Sequence, residues 1–306
     1  VVLLSCVSSG SVANAAIFAG ADAGMVRDRF AGVAAPVLGA TINVNPSFVL
    51  PESAISGIAL DSNAGDHQSG VLITARHYVA ASHNATSAPW FRGSDGVIRE
   101  YATTGSKLLT TTYNFEGEIV VGNSDIRVWT LDDTLPLPGS HGVNPLPILV
   151  GSVGGFVGRE VYAGDQFNEF GRNVIDEIVL SSFSVDMMGV PQQPTLVVGY
   201  DFDSLISGDG VGVDEIGLSG GDSGNAVIAV VDGNVALIGN HFGVDFTASP
   251  NVSFSSWLSP YVDQINDYTM MSDGLTVSTI TAVPEPNSLA ILLTTSWAMF
   301  NHRRRR

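Results

Sequence analysis

Gly220-Gly221-Asp222-Ser223-Gly224-Asn225 stands between a Gly- and acid-rich loop and the apolar run Ala226 to Val231. A serine in a tight turn flanked by glycines can present its hydroxyl clear of its own backbone. The turn's N–H groups can converge on one point in front of that hydroxyl. Attack on a carbonyl needs both features, a nucleophile and donors for the oxyanion that forms. Glycine suits such a turn because it accepts a positive φ and lets backbone approach a substrate. The same four residue types also make ordinary turns, so the reading depends on whether a base and an orienting acid lie upstream.

A hydroxyl nucleophile needs a neutral imidazole, and the imidazole needs an acid that fixes its tautomer. His83 ends Tyr78-Val79-Ala80-Ala81-Ser82-His83, an apolar run breaking into small residues that allow a close turn. His77, between Arg76 and Tyr78, reads as a surface residue. For the acid, Asp125 sits directly before the apolar run Ile126 to Leu131, at the mouth of a strand. Asp132 and Asp133, at its far end, read as a solvated turn.

Composition narrows the alternatives. The chain has 306 residues, 45% hydrophobic and 14% charged, with 34 glycines. That is the profile of a β-rich, turn-rich globular protein and not of a disordered one. A net charge of −17 argues against a nucleic-acid partner, because a phosphate backbone would be repelled. With one cysteine, Cys6, the chain can form neither an internal disulfide nor a Cys-based zinc site. The histidines show no zinc-ligand spacing, and Asp201, Asp203 and Asp209 do not match a calcium loop and read as a solvated acidic turn. No metal or organic cofactor is expected.

Short apolar runs bounded by Gly, Asn, Asp and Ser read as antiparallel strands. In the first half they include Gly70 to Thr74, Tyr78 to Ala81, Glu118 to Val121 and Ile126 to Leu131. A Pro-rich crossing near 135–147 then reads as a linker between two sheets, since proline removes ladder donors. A second set follows at Ile148 to Val150, Glu160 to Ala163, Val174 to Leu180, Thr195 to Val198, Ala226 to Val231 and Val235 to Ile238. Trp257, Leu258, Tyr261, Val262 and Ile265 share one helical face. The expected architecture is all-β: two small barrels closed by a helix, spanning 41–268. Residues 16–40 read as a leader or flexible arm and 269–282 as a polar linker.

In this order and spacing, the segments around His83, Asp125 and Gly221-Asp222-Ser223-Gly224 resemble those of chymotrypsin/trypsin-like serine proteases. The likeness covers roughly residues 40–268, including a closing helix at Tyr261 to Ile265. It implies Ser223 as nucleophile, His83 as general base and acid, and Asp125 as orienting carboxylate. The N–H groups of Gly221 and Ser223 would form the oxyanion hole. Asp222 would be the buried carboxylate that pairs with a new N-terminal amine in members activated by proteolysis, or else an acid stabilising its own turn. Gly217, six residues before the serine, falls at the base of the specificity pocket, where an acid would be needed to favour Lys or Arg. Asp214 and Glu215 are close enough in sequence to supply one if the loop is reshaped. Gly239 to Gly243 resembles the strand that pairs with substrate, which makes Phe242 and Gly243 pocket-wall candidates. Two departures stand out: Asn225-Ala226 replaces the usual Gly-Pro, and Asn84 replaces the usual cysteine.

Both ends read as export signals. Val1 to Val7 and Ala13-Asn14-Ala15 resemble the latter part of a secretory signal peptide, with 1–15 as its remnant. At the other end, Val283-Pro284-Glu285-Pro286 precedes an apolar run, Leu289 to Phe300, and then four arginines, Arg303 to Arg306. With its flanks that run makes a helix of about 22 Å, short of a ~30 Å hydrocarbon core. The order of elements over 283–306 resembles the PEP-CTERM sorting signal. The resemblance implies a Gram-negative envelope, a transient membrane anchor and cleavage by an exosortase-type enzyme. The expected function is an exported serine endopeptidase acting on protein or peptide through an acyl-enzyme. The alternatives are a protease-like binding or matrix protein without activity, and an esterase using the same three residues.

Overall fold

The protein is described from a computed structural model. The described residues are 16–19, 27–32, 36–60, 69–84, 88–115, 118–185, 190–203, 211–212, 214–245 and 251–283. The signal-peptide remnant and nearly all of the sorting signal lie outside them. Among the described residues no helix is long and apolar enough to cross a membrane.

The chain is mostly β. Strands β1 (Ile17–Phe18), β2 (Val71–Leu72), β3 (His77–Ala81), β4 (Trp90–Arg92), β5 (Ile98–Glu100), β6 (Thr103–Phe115) and β7 (Glu118–Leu131) come first. After a crossing that contains a short 3-10 turn follow β8 (Ile148–Val150), β9 (Glu160–Gly164), β10 (Phe170–Val174), β11 (Glu177–Val185) and β12 (Val190–Asp201). The last five are β13 (Ile216–Gly217), β14 (Ala226–Val231), β15 (Asn234–Asp245), β16 (Val252–Ser256) and β17 (Thr279–Thr281). The helices are α1 (Glu52–Ile55) and α2 (Val262–Asp273).

Two main sheets result. One has the order β2-β3-β7-β6, and the other runs β10-β9-β14-β15-β16-β12-β11 with β8 and β17 attached through β15. The first sheet supplies Val71, Val79, Ile126 and Val128 to a core that the second completes with Ile148, Ala226, Ile228 and Leu237. Alternation explains the split, since side chains of β7 point to opposite faces in turn. Trp129, on the other face, stacks on Tyr78 with ring centroids 6.2 Å apart. Ile265 of α2, with Leu258 and Tyr261 of the segment leading into it, enters the shared core. The Tyr261 hydroxyl accepts from Leu196 N–H at 3.1 Å and meets Thr111 Oγ1 at 2.7 Å, tying the two sheets together.

Four expectations are corrected. Residues 16–40 are not wholly a free arm: β1 pairs with β13, and Arg29 is buried, donating to both Glu52 carboxylate oxygens and to the Ile55 and Ile58 carbonyls. The apolar stripe that began at Trp257 is not helical at Trp257 and Leu258: a 3-10 turn at Ser259–Tyr261 leads into α2, which begins at Val262 and runs on to Asp273. The polar linker is part of the fold: β17 pairs in parallel with β8, and Val277 and Ala282 are buried. Its Thr-Ile-Thr run is β-branched and fits a pleated edge better than a solvated tether. Finally, His77 is fully buried, not on the surface. Its Nδ1 meets Thr74 Oγ1 at 2.8 Å, and Nε2 meets Ser272 Oγ at 2.8 Å at the end of α2. Burial lowers its pKa despite the nearby Asp273.

Candidate active site

Three side chains from three separate elements converge. His83 sits in the 3-10 turn Ser82–Asn84 that ends β3, and Asp125 lies mid-strand in β7. Antiparallel pairing sets Ala81 opposite Ile126, so the residues that follow β3 meet Asp125. The Asp125 carboxylate accepts the His83 backbone N–H at 2.8 Å through Oδ1, while Oδ2 lies 2.6 Å from His83 Nδ1. A carboxylate facing Nδ1 places the ring proton there and leaves Nε2 as acceptor. Nε2 is 2.9 Å from Ser223 Oγ. From the second sheet, Thr195 Oγ1 accepts the Asp125 N–H at 2.8 Å and fixes the carboxylate's backbone.

The serine turn follows from its glycines. Asp222 N–H donates to the Ser219 carbonyl at 3.3 Å, and Asn225 N–H to the Asp222 carbonyl at 3.0 Å, giving two consecutive β-turns. The third residue of each is a glycine with positive φ, Gly221 at 108° and Gly224 at 89°. Those values strain any residue with a Cβ. At Gly224 a Cβ would also lie 2.7 Å from the Ser69 carbonyl oxygen. Among the described residues, the N–H groups of Gly221 and Ser223 reach no backbone acceptor. Donors left open in this way are what a developing oxyanion requires.

Asp222 is fully buried and accepts N–H bonds from Gln166 at 3.0 Å and Ser219 at 2.7 Å. Its pKa is pushed up to about 6 by burial, against these hydrogen bonds. Asp165 is buried beside it, with Oδ1 accepting from Phe167 and Glu169 N–H and Oδ2 unpartnered. Burial, then the charge of Asp222, raises the pKa of Asp165 well above the usual range.

The remaining expected pocket residues are placed as follows. Gly217 pairs with Ile17, and a Cβ there would meet Phe202 at 2.9 Å. Phe242 is packed with Val197 and Phe254 in an apolar cluster, so it is a core residue and not an open wall. Gly243 pairs with Phe254 just past an irregularity in β15. Asp214 is held by Arg172 at 2.6 and 2.8 Å, and Glu215 accepts from Asp203 and Val211 N–H. Neither offers an unengaged carboxylate. Among the described residues no group of three His, Cys, Asp or Glu side chains could hold a metal ion.

Sequence reasoning gave no weight to Thr195, Asp165 or the amide of Asn84, which donates to the Ser223 carbonyl at 3.3 Å. The position of Asn84 directly after His83 was the available signal. Asp165 and Thr195 had none, because only the sheet pairing brings them near.

Fold and site together define a mostly β chain in which a serine, a histidine and an aspartate from distant segments form one hydrogen-bonded row. No protein-family model matches the chain, and a search of curated proteins finds no relative. Solved structures give distant likenesses. A mutant of human heparin binding protein is 16% identical, covering 78% of this chain and 97% of its own, with a TM-score of 0.46. A scabies mite inactivated protease paralogue is 18% identical over 77% and 100%, with a TM-score of 0.44. Kallikrein-related peptidase 10 is 16% identical over 72% and 97%, with a TM-score of 0.42. At such scores the site has to be read from its own geometry.

Proposed function

We propose that the chain is a serine endopeptidase of chymotrypsin-like fold. The observation that supports this reading is the row Asp125–His83–Ser223, with its contacts of 2.6 and 2.9 Å. Ser223 Oγ attacks the scissile carbonyl while His83 Nε2 takes its proton. Asp125 holds the Nδ1 proton in place and stabilises the imidazolium that results. The tetrahedral oxygen accepts from Gly221 and Ser223 N–H, each donor contributing on the order of 3 kcal/mol to the barrier. His83 then gives the proton to the leaving amine, and an acyl group stays on Ser223. Water, deprotonated by His83, releases it. None of these steps calls on a metal.

The terminal segments extend the proposal. A chain with the secretory remnant at 1–15 and the Val-Pro-Glu-Pro signal at 283–306 would be exported and held briefly at the inner membrane. An exosortase-type enzyme of a Gram-negative envelope would then process it.

The test is hydrolysis of a peptide library and of short-chain esters by the purified chain, beside Ser223→Ala. Peptide cleavage that disappears in the variant supports the reading. Ester cleavage alone points to an esterase, and no turnover of either contradicts an enzyme reading.

A further inference from the structure

Asp125 occupies an irregular point in its strand. Between the pairs Leu108–Arg127 and Thr110–Asn123 the ladder of β6 and β7 slips, so that Ser124, Asp125 and Ile126 face Leu109 alone. On the other edge β3 ends with Ala81 opposite Ile126, one residue short of Asp125. Neither neighbouring strand therefore places a residue opposite Asp125 to take its N–H. A bulge of this kind bends the strand and re-aims a side chain, here the carboxylate that reaches His83. Ser124 Oγ closes the gap on one side, donating to the Leu109 carbonyl at 3.1 Å and accepting the Ile126 N–H at 3.3 Å.

The Asp125 N–H is met from the opposite sheet. Thr195 is fully buried in β12, on the stretch of that strand that precedes its pairing with β16 at Val197. This stretch reaches the first sheet, where the Pro194 carbonyl accepts from Thr111 Oγ1 of β6. Thr195 Oγ1 accepts the Asp125 N–H at 2.8 Å and donates its own proton to the Gln193 carbonyl at 3.2 Å. A hydroxyl has one proton, so that donation leaves its lone pairs for Asp125. A buried N–H deprived of its acceptor bears the full desolvation penalty. Loss of this hydroxyl therefore drives the bulge toward another geometry, and the Asp125 carboxylate moves with it.

We propose that Thr195 is a positioning residue for the catalytic row, holding the Asp125 backbone so that both carboxylate oxygens stay on His83. The second sheet, whose strand β14 follows Ser223, then also fixes the acid borne by the first, and the row is complete only where the two sheets meet. This rests on the endopeptidase reading and adds a residue to its machinery. Fully buried, Thr195 has no surface to offer a substrate, so it acts on turnover through Asp125 and His83 and not on binding. A shift of about 1 Å in a catalytic group can cost on the order of 100-fold in rate.

The test compares peptide turnover and the rate of fluorophosphonate labelling in the purified chain with Thr195→Val, Thr195→Ser, Asp125→Asn and the double variant Thr195→Val/Asp125→Asn. Valine keeps the shape and loses the acceptor, whereas serine keeps the acceptor. The expected kcat of Thr195→Val is lower by on the order of 10- to 100-fold at unchanged KM, and Thr195→Ser stays close to wild type. In the Asp125→Asn background the same change costs nothing further, because two substitutions acting through one group are not additive. If Thr195→Val does not fold, Thr195→Ala takes its place. An unchanged kcat in Thr195→Val overturns the proposal. So does an equal loss in Thr195→Ser, or a full loss repeated in the Asp125→Asn background, which would mark a role that does not pass through Asp125. Wild type that neither labels nor cleaves removes the endopeptidase reading itself, and the role of Thr195 with it.

Discussion

Asp165→Asn should make the protein more stable than wild type, by a margin that grows as pH rises. In the folded chain burial, then the Asp222 carboxylate with Glu169 also nearby, raises the pKa of Asp165 well above its ordinary value. Unfolded, it ionises near its ordinary value of about 3.9. Between that value and its raised folded value, the folded state holds one proton more than the unfolded state. Stability therefore falls as pH rises, by about 1.4 kcal/mol per pH unit for this group. The asparagine amide is isosteric and does not titrate, and its oxygen can still accept from Phe167 and Glu169 N–H. Wild type and variant should match near pH 4 and then separate steadily as pH rises, with the variant the more stable. Every other titrating group is common to both chains, so the difference isolates Asp165. Urea unfolding at pH 4, 5, 6 and 7 measures it. Parallel pH profiles would refute the argument, because they would mean that Asp165 ionises normally in the fold.

Gly224→Ala combines a strained φ of 89° with a Cβ 2.7 Å from Ser69 O. It should cost on the order of 3 kcal/mol in urea unfolding and abolish Ser223 labelling. Asp125→Asn should keep the fold but lower peptide turnover by about 10⁴-fold, because an amide no longer fixes the Nδ1 proton. A loss under tenfold would argue that Asp125 does not set the tautomer. Arg29→Met leaves Glu52 without its cation and removes donors to two carbonyls. Thermal unfolding should report a loss of about 3–5 kcal/mol.

What could be read from the sequence was local. His83, Asp125 and Ser223 each stand where an apolar run meets small or turn residues, and the three lie within hydrogen-bonding distance in a row. Strand runs were legible because alternation and turn residues act over a few positions. What depended on distant partners was not. His77 reads as exposed until the end of α2, nearly two hundred residues away, covers it. Thr279 to Thr281 looks like a polar tether until β8 supplies a ladder. Arg29 reads as part of a loose arm, yet Glu52 and two carbonyls make its burial tolerable. Phe242 appeared as a pocket wall because a one-residue irregularity in β15 shifts the face each side chain takes.

The central claim is that His83 activates Ser223. The most direct measurement is covalent labelling of the purified chain by a fluorophosphonate, beside Ser223→Ala and His83→Ala. The account predicts one label per wild-type chain, mapped to Ser223 by mass spectrometry and lost in both variants. Wild type that is folded by circular dichroism yet unlabelled would contradict it, as would labelling that survives His83→Ala at the wild-type rate.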